Sequence, residues 1–232
     1  IGMQIAILLH DIGHGPFSHA MENSIVEGVH HESLSLKFMN ALNNEFKGQL
    51  TLAISIFQNQ YKRKFMYQLV SGQIDLDRMD YLKRDSFYTA ATEGNINSER
   101  IITMFNVVDD HLVIEEKGMH SVEKFLIARR LMYWQVYLHK TSLVAELLLE
   151  RLLKHARILT SKGEVLKTSN SLSYFLNRDS NDINSLDLLK RFALLDDYDI
   201  VSSLKEWQNH SDFVLSDLSS RILNRNLLKI RI

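Results

Sequence analysis

The chain has no cysteine among its 232 residues. It therefore has no disulfide framework and no thiolate chemistry, which fits a reducing compartment, and we expect a cytoplasmic protein. Long apolar runs are missing as well. The stretch over residues 5–9 is among the longest, and it is far too short to span a membrane. We expect neither a membrane span nor a secretory signal peptide.

The chain also has no excess of charge of one sign. It contains 27 Lys and Arg and 28 Asp and Glu, which give a net charge of −1. No basic field over the whole surface points to nucleic acid, so any positive charge that binds a phosphate group must be local. Hydrophobic residues make up 45% of the chain, which is enough to bury the core of a globular protein.

Residues that interrupt helices are scarce, since the chain has nine glycines and a single proline, Pro16. This scarcity predicts an all-α fold. The apolar segment MQIAILLH predicts a helix that ends at the turn before Pro16, and a second short helix should cover residues 17–24. Two apolar runs over 107–108 and 112–114, separated by two aspartates, predict a small peripheral β-hairpin.

The second half of the chain predicts a long helical region over residues 119–160, broken near His139. The polar stretch over 163–171 is the best linker candidate. We therefore expect a core over 1–160 and a C-terminal extension of three or four helices over 161–232, packed on that core. Because IGMQIAILLHD reads as the end of a buried helix, we expect the chain to be a fragment of a longer protein.

The segment HDIGHGPFSH places His10, Asp11, His14 and His19 around a forced turn. Imidazole nitrogens and a carboxylate together suit a divalent transition metal, or magnesium through the carboxylate. Imidazoles clustered beside a turn also suit contact with phosphate. The alternative is a turn that ends a helix and exposes its histidines, but three clustered histidines favour a site.

The segment VHHESLS offers a second candidate in His31. Histidine as a residue type titrates near working pH, so a histidine here could donate or accept a proton, and Glu22, one short helix upstream, could orient it. The alternative is that the histidines and Glu32 only form the capping region of the next helix. The residues alone leave both interpretations open.

The segment IDLDRMDYLKRD places Asp77, Tyr81 and Asp85 along one stripe of a helix. Asp80 and Arg84 predict a surface ion pair on the same helix. The alternative for this segment is a solvated acidic face. Apolar residues on the same helix indicate substantial burial, and a buried carboxylate needs a partner charge or a metal, so Asp77 is a candidate metal ligand.

The segment ARRLMYWQVYLHK places two cations and two tyrosines at helical spacing: Arg129, Tyr133, Tyr137 and Lys140. The cations could bind polyphosphate, and an aromatic ring could pack on a sugar or base. The alternative is an amphipathic core helix whose cations extend to solvent, and this segment by itself favours that alternative.

In order and approximate spacing, these four segments resemble the HD-domain deoxynucleoside triphosphate triphosphohydrolases, a family that includes bacterial relatives of the vertebrate sterile-alpha-motif-and-HD-domain restriction factor. The motif HDIGHGPFSH is highly specific to that group. The resemblance is strong over residues 3–140, and LNRNLLKIRI near the end also resembles a segment of the group. It implies an HD-type helical bundle that hydrolyses a dNTP to a deoxynucleoside and inorganic triphosphate.

The resemblance implies roles for individual residues. The metal ligands would be His10, Asp11 and Asp77, and the ion would be manganese, magnesium or iron. His31 would be the catalytic histidine, oriented by Glu22. The residues near the substrate phosphates would be His14, His19, Arg78, Arg129 and Lys140. The residues that contact the deoxyribose would be Tyr81, Asp85 and Tyr137. Arg78 stands where the family often has lysine, which keeps the charge but changes the geometry.

The resemblance also implies elements that the chain lacks. The family's first histidine ligand and a phosphate-binding arginine precede the HD pair by some tens of residues. The implied partners are the dNTP substrate, an allosteric nucleotide and further copies of the chain in a dimer or tetramer. Two alternatives stay open: another HD phosphohydrolase that acts on nucleotides, and a non-catalytic nucleotide-binding or assembly module.

Overall fold

A computed structural model describes residues 1–22, 24, 30–177 and 186–230, with the backbone alone at His19 and Leu186. Within these ranges the chain forms thirteen α-helices and one two-stranded sheet. The predicted all-α fold with a small hairpin is therefore confirmed. In the described part of the chain, no helix combines the length and apolar character that crossing a membrane requires.

The first seven helices precede the hairpin. They are α1 (Gly2–Leu9), α2 (His19–Glu22), α3 (His31–Glu45), α4 (Thr51–Phe57), α5 (Lys64–Val70), α6 (Leu76–Thr89) and α7 (Ser98–Thr103).

The remaining six helices follow the hairpin. They are α8 (Met119–Met132), α9 (Lys140–Ser161), α10 (Asn170–Leu176), α11 (Leu186–Ala193), α12 (Asp197–Trp207) and α13 (Phe213–Leu223). The last four helices match the number predicted for the C-terminal part.

The hairpin pairs β1 (Phe105–Val108) with β2 (His111–Ile114) in antiparallel register, with Val108 opposite His111. Asp109 and Asp110 form its two-residue turn, and both have positive φ angles of 50° and 64°. Aspartate tolerates the left-handed conformation that a tight turn with matching twist requires. The two aspartates thus explain why the predicted hairpin forms at this position.

The long helical region is interrupted where the sequence predicts a break. A π-helical turn over Tyr133–Tyr137 follows α8, and α9 begins at Lys140 after His139. The second predicted helix differs more from expectation, because α2 begins only at His19. Phe17 and Ser18 have positive φ angles of 53° and 47°, and left-handed backbone does not continue a right-handed helix.

The chain divides into two compact units, each with its own core. The first unit comprises Ile1–His10 and Leu42–His139, and Leu82, Phe125 and Met132 are fully buried in it. The second unit comprises Asp11–Ala41 and Lys140–Ile232, and Leu152, Leu153 and Trp207 are buried in its core. The expected boundary near residue 160 stays a prediction.

Candidate metal and nucleotide site

His10 follows the last residue of α1, and its two ring nitrogens have different neighbours in the first unit. Nδ1 lies 2.7 Å from the carbonyl oxygen of Ile7, so Nδ1 carries the proton and donates to it. Nε2 lies 3.6 Å from Oδ1 of Asp77. A backbone carbonyl that holds one ring nitrogen of a metal-binding histidine fixes the orientation of the other. The ring therefore presents Nε2 toward the Asp77 carboxylate.

Asp77 lies in the first turn of α6, which Asp75 caps by accepting a hydrogen bond from the backbone N of Arg78 at 2.7 Å. The contact with His10 lowers the pKa of Asp77, with smaller contributions from Arg78 and Arg84, and partial burial opposes them. Asp77 is thus an ionised carboxylate at neutral pH, which is the form that binds a metal.

The Arg78 guanidinium is held by its own helix start. Its Nη1 donates to the carbonyl oxygen of Gly72 at 2.6 Å and forms an ion pair with buried Asp75. These contacts use part of the hydrogen-bonding capacity that the resemblance assigns to substrate phosphate. Asp80 and Arg84 form the predicted surface pair, and both side chains are exposed.

The second unit gathers another set of predicted residues around the turn after α1. Nε2 of His14 lies 3.7 Å from Oδ1 of Asp11, and the rings of His14 and His31 stack with centroids 4.0 Å apart. One potential ligand atom from each of Asp11, His14 and His31 lies within 4.8 Å of the other two. The structure thus brings His31 close to Asp11 and His14, although the sequence presents His31 as a separate candidate.

Gly13 allows this close approach. Its backbone N donates to Oγ of Ser35 at 2.9 Å. A Cβ at position 13 would lie only 2.3 Å from both the backbone oxygen of His31 and the backbone N of Ser35. Only glycine fits so close to the first turn of α3. Gly13 is thus the residue that sets the distance between His14 and His31.

Glu22 holds the start of α3 through both carboxylate oxygens. Oε1 accepts a hydrogen bond from the backbone N of His31 at 3.0 Å and lies 3.1 Å from Nδ1 of His30. Oε2 lies 3.4 Å from Nδ1 of His31. The structure therefore places Glu22 where the sequence predicts an orienting group, and the same carboxylate also caps the helix. His30 is exposed, so only His31 is partly enclosed.

Two serines of the second unit were not predicted. Oγ of Ser18 lies 3.0 Å from Nδ1 of His14, and Ser35 binds Gly13 as described above. The spacing of His14 and Ser18 offers a weak signal, but Ser18 reaches the ring from left-handed backbone, which periodicity does not reveal. The side chain of His19 lies outside the described residues, so its predicted role stays a prediction.

An aromatic cluster in the first unit joins the three residues that were predicted to contact the deoxyribose. The hydroxyl of Tyr137 donates to Oδ2 of Asp85 at 2.7 Å. The Tyr81 ring packs edge-on against the Tyr137 ring with centroids 5.8 Å apart, and Tyr133 packs against Tyr137 at 5.2 Å. Burial raises the pKa of Tyr81 to about 12, and burial with the Asp85 carboxylate raises the pKa of Tyr137 further. Both hydroxyls therefore stay protonated at physiological pH.

The two predicted cations of the last segment fall in different units. Arg129 belongs to the first unit, where its guanidinium carbon lies 5.8 Å from the centroid of the Tyr133 ring and Nη1 donates to Oε1 of Gln73 at 3.4 Å. Lys140 is the first residue of α9 and belongs to the second unit. The predicted stripe of Arg129, Tyr133 and Tyr137 is confirmed by their ring contacts.

The donor chemistry fits a divalent metal ion in both sets of residues. His10 and Asp77 in the first unit offer an imidazole nitrogen and a carboxylate oxygen, and Asp11, His14 and His31 in the second unit offer the same two kinds of ligand. Nitrogen and oxygen donors together suit manganese, iron or zinc more than calcium.

Comparison with known protein families matches two models. Residues 2–85 match the HD domain, and residues 96–169 match the HD associated region. The matched HD domain contains most of the predicted site, from His10 to Asp85. The associated region contains Arg129, Tyr137 and Lys140.

Three relatives illustrate how similar this chain is to known proteins. A phosphohydrolase from Bacteroides thetaiotaomicron has a crystal structure that superposes with a TM-score of 0.95 at 57% identity, covering 98% of this chain and 57% of that one. The uncharacterized protein YwfO of Bacillus subtilis is 35% identical over 97% of this chain and 52% of its own length. The deoxynucleoside triphosphate triphosphohydrolase SAMHD1 homolog of Dictyostelium discoideum is 28% identical, over 73% of this chain and 35% of its own length.

This chain thus spans little more than half of the first two relatives and about a third of the last one. The two matched models account for adjoining parts of the sequence in the order HD domain, then HD associated region. The residues of the four site segments fall within these matches, whereas LNRNLLKIRI near the end of the chain lies beyond them. The chain therefore belongs among the proteins that carry an HD domain followed by an HD associated region.

Proposed function

We propose that the protein hydrolyses deoxynucleoside triphosphates to deoxynucleosides and inorganic triphosphate. The observation that carries this proposal is the hydrogen bond between Tyr137 and Asp85, with Tyr81 packed beside it. A hydroxyl and a carboxylate fixed next to aromatic rings can bind the 3′-hydroxyl and pack on the sugar. The Dictyostelium relative is itself named a deoxynucleoside triphosphate triphosphohydrolase, which supports the same substrate class.

The metal ligands that we propose are His10, Asp11 and Asp77, for manganese, magnesium or iron. A divalent ion bound there would polarise the α-phosphate and lower the pKa of a bound water. Two features of the chain favour binding of such an ion. The Ile7 carbonyl holds the His10 ring, and the Asp77 carboxylate is kept ionised. The orientation of His10 is thus set before an ion arrives.

His31 is the proposed proton donor to the 5′-oxygen that leaves the α-phosphorus. Glu22 contacts both the backbone N and Nδ1 of His31, so it fixes the orientation of the ring. A general acid contributes roughly 10²- to 10⁴-fold to the rate. We expect His31→Ala to fold, to retain the metal and to lose most activity, and loss of metal in this variant would contradict the role.

Five side chains are proposed to bind the substrate phosphates. They are His14, His19, Arg78, Arg129 and Lys140. Imidazole and guanidinium groups donate charge-assisted hydrogen bonds to phosphate oxygens and stabilise negative charge there. The contribution of Arg78 should be smaller than that of the others, since its guanidinium already binds Asp75 and the Gly72 carbonyl.

The proposed partners follow from the same family. We expect a dNTP substrate, an allosteric nucleotide and association of the chain into dimers or tetramers. Activity toward one dNTP that rises when a second dNTP is added would indicate the allosteric nucleotide. Sedimentation or light scattering of the same sample would give the oligomeric state.

The decisive experiment supplies the purified protein with Mn²⁺ or Mg²⁺ and each of the four dNTPs, singly and as mixtures. Chromatography then measures inorganic triphosphate and deoxynucleoside. We expect triphosphate release that Asp77→Ala abolishes. Asp80→Ala is the matched control, because Asp80 lies on the same helix but forms an exposed pair with Arg84.

Two other results would contradict the proposal. Release of phosphate from nucleoside monophosphates, release of diphosphate from (p)ppGpp, or opening of cyclic nucleotides to linear nucleotides would indicate another HD phosphohydrolase. Stabilisation of the protein by nucleotide, measured as a rise in Tm without any turnover, would indicate a non-catalytic binding or assembly module.

A further inference from the structure

The turn before α2 has an unusual backbone. Phe17 and Ser18 both have positive φ angles, of 53° and 47°, although neither is glycine. Residues other than glycine seldom adopt this left-handed conformation, and it persists only where surrounding contacts hold it. Two consecutive residues of this kind therefore need partners that stabilise the turn.

Part of that support comes from a residue that is distant in sequence. The backbone N of Phe17 donates to Oδ1 of Asp197 at 3.1 Å, and Asp197 is the first residue of α12. The start of α12 is closed by a capping box that Asp196 and Asp199 form. The Asp197 carboxylate thus binds the turn while its neighbours cap its own helix.

Ser18 connects this turn to the candidate site of the second unit. Its Oγ lies 3.0 Å from Nδ1 of His14, and its carbonyl oxygen accepts a hydrogen bond from the backbone N of Glu22 at 3.4 Å. The His14 ring stacks on His31, and Glu22 contacts Nδ1 of the same His31. A change in the backbone at Ser18 would therefore reach the His14 ring directly.

A second residue of the same C-terminal region contacts the turn. Phe192 of α11 is buried and lines a small cavity together with His14 and His31. A Cβ at Gly15 would lie 3.0 Å from the end of the Phe192 ring. Both α11 and α12 lie beyond the two matched family models, the second of which ends at residue 169. The chain after those models therefore contributes to the surroundings of His14.

We propose that Asp197 is a positioning residue for His14. Its carboxylate holds the backbone N of Phe17, the turn keeps its left-handed form, and the Ser18 hydroxyl then fixes the His14 ring. A group that binds phosphate oxygens works best when the residues behind it lock its orientation. The effect on turnover rests on the proposed hydrolysis, in which His14 binds a substrate phosphate, whereas the effect on the ring does not.

The first measurement uses NMR and needs no turnover. It compares hydrogen exchange of the Phe17 amide and the ring-nitrogen signals of His14 in the original protein, Asp197→Ala and Asp197→Asn. We expect Asp197→Ala to speed exchange at Phe17 about three- to tenfold and to shift the His14 signals. Asp197→Asn keeps an acceptor oxygen, so its exchange rate should stay within about twofold of the original protein. Asp197 is exposed, so neither change opens the core.

Asp187→Ala is the matched control, because Asp187 is an exposed residue of the preceding helix α11 and pairs with Arg191 at 2.8 Å. It removes the same charge without touching the turn, so Phe17 and His14 should be unchanged. Equal exchange at Phe17 in Asp197→Ala and the original protein would overturn the proposal. Faster exchange with unchanged His14 signals would also overturn it, because the contact would then support the backbone alone. An effect in Asp197→Asn as large as in Asp197→Ala would contradict the hydrogen bond, since charge would then be the cause.

The second measurement is the steady-state rate of triphosphate release from a dNTP. Because His14 is proposed to bind phosphate, KM should rise about three- to tenfold in Asp197→Ala and return toward the original value in Asp197→Asn. A lower kcat at unchanged KM would indicate fewer folded molecules, and it would contradict a positioning role. If the original protein releases no triphosphate, the NMR measurement still tests the orientation of His14, so the two proposals can fail independently.

Discussion

Replacement of Gly13 by alanine tests whether a single close approach sets the geometry of the second unit. The φ angle of Gly13 is not positive, so the backbone itself accepts alanine. The obstacle is space, because the new Cβ would lie 2.3 Å from the His31 oxygen and the Ser35 nitrogen and 2.8 Å from Cβ of Leu34. The two closest atoms are backbone atoms of the first turn of α3, which cannot rotate away.

The cost follows from these distances. Ordinary contacts of a Cβ begin near 3.4 Å, so the turn and the helix must separate by about 1 Å. Overpacking of this kind costs typically 1–3 kcal/mol, and the displaced Gly13–Ser35 hydrogen bond adds about 1 kcal/mol. Alanine also lowers the conformational entropy of the unfolded chain, which offsets this cost by about 0.4–1 kcal/mol. We expect Gly13→Ala to lower the free energy of unfolding by about 2 kcal/mol.

Urea unfolding followed by circular dichroism would measure this change, and Tm should fall by roughly 4–8 °C for a chain of this size. Gly15→Ala is the matched control, because its closest neighbour would be the end of the Phe192 side chain at 3.0 Å. That side chain can move, so the control should lose much less stability. Equal stability of Gly13→Ala and the original protein would refute the packing that we describe around His14 and His31.

Three further changes test other parts of the molecule. Tyr137→Phe keeps the ring but removes a hydrogen bond to the Asp85 carboxylate. We expect the binding energy for deoxyribose to fall by up to about 1.5–3 kcal/mol. In steady-state assays, the preference in kcat/KM for dATP over ATP should become smaller. Glu22→Gln should lower kcat by about 10- to 100-fold with little change in KM, because His31 loses its orienting carboxylate. Asp212→Ala should cost about 1 kcal/mol in urea unfolding at pH 7, since Asp212 caps α13. The capping contact holds the pKa of Asp212 below its unfolded value of about 3.9, so its contribution is present above that pH and is lost as pH falls through the folded pKa. The variant should therefore lose less stability than the original protein between pH 5 and about pH 3.

Much of the fold could be predicted from local sequence because its signals are local. The hairpin turn follows from Asp109 and Asp110, which accept left-handed backbone, and the break near His139 follows from the pattern of the flanking apolar residues. The start of α2 was harder to predict. Phe17 and Ser18 both have left-handed backbone, which these residue types seldom adopt, so no local preference indicates it.

The contacts of the site depend on residues far apart in sequence, and this is why the motifs predicted its members better than its geometry. Asp85 and Tyr137 were both predicted to contact the sugar, but the hydrogen bond between them joins positions 52 residues apart. Arg78 shows the opposite case. Its pairing with Asp75 is local, yet the sequence equally allows Arg78 to extend toward a phosphate, and only the packed structure distinguishes the two.

Three histidines of the site share one feature that explains their chemistry. In His10 and His31, Nδ1 contacts an acceptor that cannot donate, the Ile7 carbonyl in one case and the Glu22 carboxylate in the other, so Nδ1 carries the proton. In His14 the same atom contacts a serine hydroxyl. The folded chain therefore fixes the ring orientations before any ligand is present, and Nε2 is the nitrogen that each ring offers for metal, phosphate or proton transfer. Because these partners lie within nine residues or fewer of each histidine, the groups that orient the imidazoles lie in or close to the short segments that carry the family resemblance.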